Sequence, residues 1–420
     1  MLCTLQNGAL SMARPRAFEE SEVLDRAADV FGRRGYDGST MAELTAAMGL
    51  NSPSIYAAFG SKRGLFDAVL GRCSAREDEH WEWALTAPTA EEVVKRLLTT
   101  SPAQESSRIL VHAGLAMGSE NADIPAALLH RRQSAELKLR DRFEKAKRSG
   151  ELPVDADASG LASYVTSVLG GLAMKAAGGA PHDDLREGAE QAMAAWRAIS
   201  DVAAAASAST RGSTPADQLR EPRKFSADAA LDAAMKVFWT KGFAGASLND
   251  LTEAMGITRP SLYAAFGNKE ALFFKALELY QSLRGDYMAR ALQSPTARGV
   301  FEAILRGTLR TQLAEGQPRG CLMVLNSMPG GDEAQVIRNE ILRRQAVGRD
   351  LLAARFERAK IEGDLLPTVN IDGLVRFVQS MMNGILMQGA AGASRSELEG
   401  LVESSLAMWT ASARLPISKD

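Results

Sequence analysis

The chain has 420 residues, 46% hydrophobic, 24% charged and 6% aromatic, with a formal net charge of −2. This balance excludes a disordered or collagen-like chain, and it gives no bulk attraction to nucleic acid, so any polyanion binding must come from a few placed groups. No apolar run approaches the roughly 20 residues of a membrane helix.

Three cysteines, Cys3, Cys73 and Cys321, form neither a disulfide framework nor metal-ligand spacing, which fits a reducing cytoplasm. The four histidines (His80, His112, His130, His182) read as surface or satisfied core residues. There is no Ser/His/Asp order, metal spacing or phosphate-type glycine loop. The reading is therefore non-enzymatic, with no catalytic residue, cofactor or metal assigned. The N-terminal stretch lacks the basic start and apolar centre of a secretory signal, and Met12 is an alternative start to Met1.

From there the chain writes one unit twice. At a slip of 207 residues, "PSIYAAFGSK" from Pro53 meets "PSLYAAFGNK" from Pro260, and 11 of 18 positions are identical between Gly49–Phe66 and Gly256–Phe273. At a slip of 213, "RFEKAKRSG" at Arg142 meets "RFERAKIEG" at Arg355, and Trp196 meets Trp409. Aromatics are scarce while Ala, Leu and Met are plentiful, so an all-α fold is expected.

Each unit opens with an amphipathic helix. Its stripe is Val23, Leu24, Ala27, Val30 and Phe31 in one copy and Leu231, Ala234, Met235, Val237 and Phe238 in the other, stopped at Gly35 and Gly242. A short second helix follows, with a capping box of Thr40 and Glu43, repeated in weaker form by Ser247 and Asp250. Gly49 and Gly256 allow a tight turn. A third helix then starts at Asn51 or Thr258, carries Pro53 or Pro260 in its first turn, and ends at Gly60 or Gly267. That order is the grammar of a helix-turn-helix.

On the third helix, 100° per residue sends Ile55 and Phe59 inward and Ser52, Pro53, Tyr56 and Ala57 outward, with Ser54 at the edge. A helix with small outward residues can lie in a major groove about 12 Å wide. Its tyrosine can offer a hydroxyl there, and Lys62 at the next helix start suits a phosphate. The bland alternative is a capped helix with a solvated tyrosine and lysine.

The rest of each unit reads as helices: spans near 61–85, 89–99, 106–117, 124–149, 155–177 and 183–199, then 268–292, 295–314, 321–327, 332–362, 371–390 and 394–412. Between the units, Ser200–Pro222 has the Ala/Ser/Thr/Gly/Pro bias of a linker. The expected division is a helix-turn-helix head at 12–60, a helical body at 61–199, the linker at 200–222, a second head at 223–267 and a second body at 268–415.

At "NSPSIYAAFGSKRGL" from Asn51 and "TRPSLYAAFGNKEAL" from Thr258 the sequence resembles the TetR/AcrR family of transcriptional regulators, twice over. The resemblance implies DNA-binding heads on ligand-binding and dimerisation bodies, operator DNA and a small effector as partners, and a ligand-responsive repressor as the function. By position it puts phosphate contacts on Thr40, Tyr56, Lys62, Ser247, Tyr263 and Lys269. Base-edge contacts fall on Ser52, Pro53, Ser54, Arg259, Pro260 and Ser261, with Asn249, but only Ala42, at the second-helix position. "PRGCLMV" at Pro318–Val324 resembles a segment near the family's ligand cavity, where Cys321 is a thiol sensor or a small buried residue.

Family members pair through their last two helices. Gly170, Gly171, Ala173, Gly384 and Ala390 there read as close-approach sites or as tolerated small residues. The expected arrangement is an intramolecular pseudo-dimer, with a homodimer of like copies as the other arrangement. The alternative function is a ligand- or partner-binding scaffold with degenerate heads. The near-neutral heads keep it open, since Met12–Phe66 holds seven basic and seven acidic residues and Leu219–Phe273 seven and six.

Overall fold

The computed structural model of the protein describes residues 20–100, 109–111, 113–114, 123–202, 227–327 and 332–412. The chain start at Met12, most of the expected helix 106–117 and the linker from residue 203 lie outside these residues. Among the described residues every regular element is a helix.

The first unit runs α1 (Glu20–Gly38), α2 (Met41–Met48), α3 (Ser52–Phe59), α4 (Lys62–Leu85), α5 (Ala90–Thr100), α6 (Asp123–Ser149), α7 (Ala158–Ala177) and α8 (His182–Val202). The second runs α9 (Ala227–Gly245), α10 (Leu248–Met255), α11 (Arg259–Phe266), α12 (Lys269–Leu292), α13 (Ala297–Gln312), α14 (Leu322–Asn326), α15 (Asp332–Ile361), α16 (Ile371–Ala390) and α17 (Arg395–Ser412). The last helix of the first unit thus outruns the expected linker start at Ser200.

The first-helix stripe does what its spacing dictates. Val23, Leu24, Ala27, Val30 and Phe31 are buried with Leu44, Met48 and Ile55, and α4 closes this core with Leu65 and Phe66. Phe31 meets Phe66 edge-on, with centroids 4.9 Å apart, and Phe238 meets Phe273 likewise at 5.1 Å. Burying one such ring contributes about 1.5–3 kcal/mol. In the second copy Ala234, Met235 and Phe238 are buried, Leu231 and Val237 are partly buried, and Trp239 joins the core.

The backbone leaves the helix at the predicted stops, with φ 69, ψ 173 at Gly35 and φ 70, ψ 171 at Gly242. Helical hydrogen bonding nonetheless resumes to Gly38 and Gly245, so each first helix ends in a kinked corner rather than a clean stop.

The two units meet through α7 and α8 against α16 and α17 within one chain. A single core holds side chains of all four helices. Its approximate two-fold axis can be read from residue pairs at the 213 slip. Trp196 packs on Phe143 at 5.0 Å, while Trp409 packs on Phe356 at 6.0 Å and on Phe301 at 4.9 Å. Tyr164 faces its own counterpart Phe377 across the seam, centroids 6.4 Å apart.

Glycines set how closely the helices approach. A Cβ on Gly171 would run into the Ser380 carbonyl oxygen, and one on Gly384 would lie 2.8 Å from the Ser167 carbonyl oxygen. Of the two readings open for these small residues, close approach is the one realised at Gly171 and Gly384.

Candidate nucleic-acid interface

Both heads build the same frame from local chemistry. Thr40 caps α2: its hydroxyl accepts the Glu43 N–H at 3.2 Å while Glu43 accepts the Thr40 N–H at 3.0 Å. Ser247 and Asp250 make the same two bonds at 3.1 and 2.9 Å, so the second box is as complete as the first rather than weaker. In addition the Ser247 hydroxyl donates to Asp250 at 2.8 Å, which occupies the proton it would otherwise offer to a ligand.

The turn between the short helices needs a left-handed residue, supplied by Gly49 at φ 66 and Gly256 at φ 65. The next residue folds back in each copy, Leu50 N–H onto Thr45 O and Ile257 N–H onto Thr252 O. Asn51 then caps α3 through the Ser54 N–H at 2.9 Å, and Thr258 caps α11 through the Ser261 N–H. Ile55 and Leu262, fully buried, anchor the two helices on their heads. Phe59 is only partly buried.

None of the predicted site residues is buried, and Lys62 and Lys269 are half-buried. Thr40, Pro53 and Tyr56 are exposed in the first head, with Ser52 and Ser54 half-buried; Ser247, Asn249, Arg259, Pro260, Ser261 and Tyr263 are exposed in the second. The tyrosines are equally open, Tyr56 at 49% and Tyr263 at 48%, so their presentation does not differ between heads.

Two features escaped sequence reasoning. The first lies under the lysines. Lys62 Nζ sits 4.5 Å from the Tyr36 ring centroid, and Lys269 Nζ sits 4.5 Å from the Phe243 ring. Desolvation there lowers the Lys62 pKa below the ordinary lysine value, while the carboxylates of Asp37 and Glu43 pull it back up. An aromatic directly after the stop glycine in both copies was the available signal. The rings hold each ammonium near the helix start that it shares with exposed N–H groups.

The second feature belongs to one head alone. Arg259 Nη2 donates to Asn249 Oδ1 at 2.7 Å, joining the first residue of α11 to the second of α10. Ser52 and Ala42 at the matching places can form no such bond.

Most other basic groups of the heads are committed to carboxylates. Arg26 pairs with Glu22, Arg34 with Glu43, Arg63 with Asp67 and Asp123, Lys236 with Asp232, and Lys241 with Asp250. Lys62 and Lys269 each lie over a ring, Lys62 also within the field of the Asp37 and Glu43 carboxylates, and Arg259 bonds to an amide.

Each head is tied to its body by apolar packing, of Ile109, Leu110, Ala113, Ile124 and Leu128 in the first unit and of Leu322, Ile337 and Ile341 in the second. In the second unit Asn326 at the end of α14 accepts the Phe243 N–H at 2.6 Å, just past the Gly242 kink. The same short helix begins at Cys321, whose sulfur accepts the Tyr280 hydroxyl at 3.2 Å, next to Gly320 held through both backbone groups by Gln312. No helix of the described residues is long and apolar enough to cross a membrane.

The family model "Bacterial regulatory proteins, tetR family" matches at residues 23–69 and again at 230–276. The chain is 28% identical over 190 residues to the HTH-type transcriptional repressor ComR of Escherichia coli K12, covering 45% of this chain and 90% of that protein. Over 57 residues it is 47% identical to the HTH-type transcriptional repressor BdcR of the same organism, covering 14% of this chain and 29% of that protein. Among solved structures, a cysteine mutant of the TetR family transcriptional regulator CifR, complexed with 26 bp double-strand operator DNA, is 38% identical. It covers 45% of this chain and all of that one, with a TM-score of 0.42. Relatives of this length correspond to one unit of the chain, not two.

Proposed function

Because this chain belongs to the tetR family of bacterial regulatory proteins, we propose that it is a DNA-binding transcriptional regulator whose two unlike heads engage one operator. The observation that carries this is the repeated outer surface: a capped, anchored short helix with an open tyrosine and a ring-seated lysine, present in both heads. Thr40, Tyr56, Lys62, Tyr263 and Lys269 grip phosphates in this reading, and Ser247 joins them only by turning its hydroxyl proton away from Asp250. Ser52, Pro53, Ser54, Asn249, Arg259, Pro260 and Ser261 face base edges. Phosphate contacts fix register, whereas base contacts give sequence preference.

The working unit is one chain folded on itself. The shared bundle core and the paired glycines support it, because the surface a homodimer would use is already covered by the other half of the same molecule. Repression is the mode, in line with the relatives' names. A small effector entering a body releases the heads, and α14 supports this coupling because it runs from Cys321 beside the body core to Asn326 on the kink of α9.

The deciding experiment is selection of genomic DNA fragments by the purified chain, followed by gel shift on the enriched fragments. Enrichment of a discrete set of upstream sequences is expected. No enrichment, with a correctly folded chain, would favour the scaffold reading. Light scattering of the DNA-free protein should report a 45.0 kDa particle, the mass of one chain; a particle of twice that mass would overturn the one-chain unit.

A further inference from the structure

The kinked corners that end α1 and α9 touch each other. A Cβ built on Gly38 lies 3.5 Å from the Ala244 Cβ, and one built on Gly245 lies 3.3 Å from the Asp37 Cβ. At the 207 slip Gly38 corresponds to Gly245 and Asp37 to Ala244. The two contacts are therefore the same contact made twice about an approximate two-fold axis. They sit immediately before Thr40 and Ser247, the caps that open the next helix of each head.

From this we infer that Gly38 and Gly245 set the spacing between the half-sites the chain reads; the inference rests on the DNA-binding reading above and adds the determinant of its geometry. Each head is one packed body, in which the first helix, the two short helices and the start of α4 or α12 share a core. A head therefore cannot adjust its reach internally. The distance from one reading helix to the other is fixed where the heads abut, and what separates them there is the thickness of two glycines.

The tolerance is narrow. Alanine at position 38 places its methyl in ordinary contact with Ala244. Any larger side chain interposes another layer of carbon, roughly 3.5–4 Å thick. That is close to one base-pair rise of about 3.4 Å. The seam is also chemically unlike on its two sides, since only the first unit brings a carboxylate. Two first units placed corner to corner would bring two Asp37 side chains to the axis, whereas the intramolecular pair brings one.

Two variants test this in the full chain. In the first, Gly38→Cys with Ala244→Cys has a Cβ separation within the roughly 3.5–4.5 Å that a disulfide needs. The bond is expected to form on mild oxidation. The oxidised protein should then bind operator within about twofold of the reduced protein. Failure of the bond to form, or loss of binding on oxidation that reduction restores, would overturn the inference. A bond that forms while neither state binds any DNA would strike the DNA-binding reading itself, and the spacing role with it.

In the second, Gly38→Leu with Gly245→Leu is assayed on operators whose central spacer differs by single base pairs. The optimum should move one or two base pairs longer, with about tenfold weaker binding at the wild-type spacing. An unchanged optimum, or equal loss at every spacer length, would overturn it. Gly38→Ala serves as the folded control, and its optimum should stay where it is.

Discussion

Head one and head two are the same frame carrying different outer side chains. Both have a capping box, a left-handed glycine turn, a buried aliphatic anchor, an open tyrosine and a lysine over a ring. They part where a base edge would be read. The second head presents Arg259 bonded to Asn249, and the first presents Ser52 and Ala42. Apolar packing attaches each head to its body, and in the second unit the Asn326 side chain adds a hydrogen bond from the Phe243 N–H. The frame tolerates exchange of like for like, Thr40 for Ser247, Asn51 for Thr258 and Ile55 for Leu262, while on the outer face Pro, Ser, Tyr and two Ala are identical and only the first residue of the third helix and the second of the short helix before it change in character.

The largest expected effect concerns the part of the molecule that remains symmetric. Gly171→Val and Gly384→Val each drive a side chain into a backbone carbonyl across the seam. Each should destabilise the chain by about 1–3 kcal/mol or more, and by similar amounts. Calorimetry that shows one substitution tolerated and the other not would break the symmetry of the bundle.

The outer side chains come next. Arg259→Ala should cost about 1–3 kcal/mol of operator affinity and relax one position of one half-site, while Ser52→Ala changes binding far less. Asn249→Ala should weaken the same position, because it frees the arginine from a fixed pose. The double variant should lose less than the sum, as for residues acting as a unit. Binding-site selection from random DNA should return an asymmetric site with one strongly specified half; a clean palindrome would erase the difference between the heads.

Lys175 marks a difference inside the seam, since Gln388 stands at its counterpart position. Desolvation, reinforced by Arg376 and Arg349 and opposed by Asp184, holds its pKa at about 8 instead of 10.5. Below pH 8 the folded chain carries the full burden of that buried charge. Between 8 and 10.5 the folded chain has released the proton while the unfolded chain retains it, so stability rises with pH across this window. Lys175→Met should raise the urea midpoint at pH 7 and flatten the climb; parallel pH profiles for the two proteins would refute this.

The smallest effect should be the same in both heads. Tyr56→Phe with Lys62→Ala, and Tyr263→Phe with Lys269→Ala, each remove groups assigned to phosphates. The salt slope of binding should fall by about 0.9 for each phosphate no longer neutralised. A slope that changes for one pair only would mean that the heads differ in their grip as well as in their reading.

Much of this was legible in the residues. The repeat located both heads, and caps and glycines marked helix ends to within a few residues, because those signals are local. The outward tyrosines followed from helical periodicity. What was not legible depends on neighbours distant in sequence. Arg259 and Asn249 meet only because the glycine turn folds α11 back on α10. Gly171 stays open between close approach and mere tolerance until Ser380, more than two hundred residues away, is seen against it. The ring beneath each lysine needed the corner of the first helix to be placed, and the predicted stop at Gly35 hid the extra turn that places it.

Closing the bundle inside one polypeptide also changes what dilution and mutation can do. A pair of separate subunits falls apart as its concentration drops, whereas two halves joined by a short tether see each other at an effective concentration on the order of millimolar however few copies are present. Occupancy should then follow the first power of protein concentration down to the lowest levels. A substitution in a homodimer alters both heads at once, so every experiment of evolution is performed in duplicate. Here it is performed on one head while the other is left unchanged.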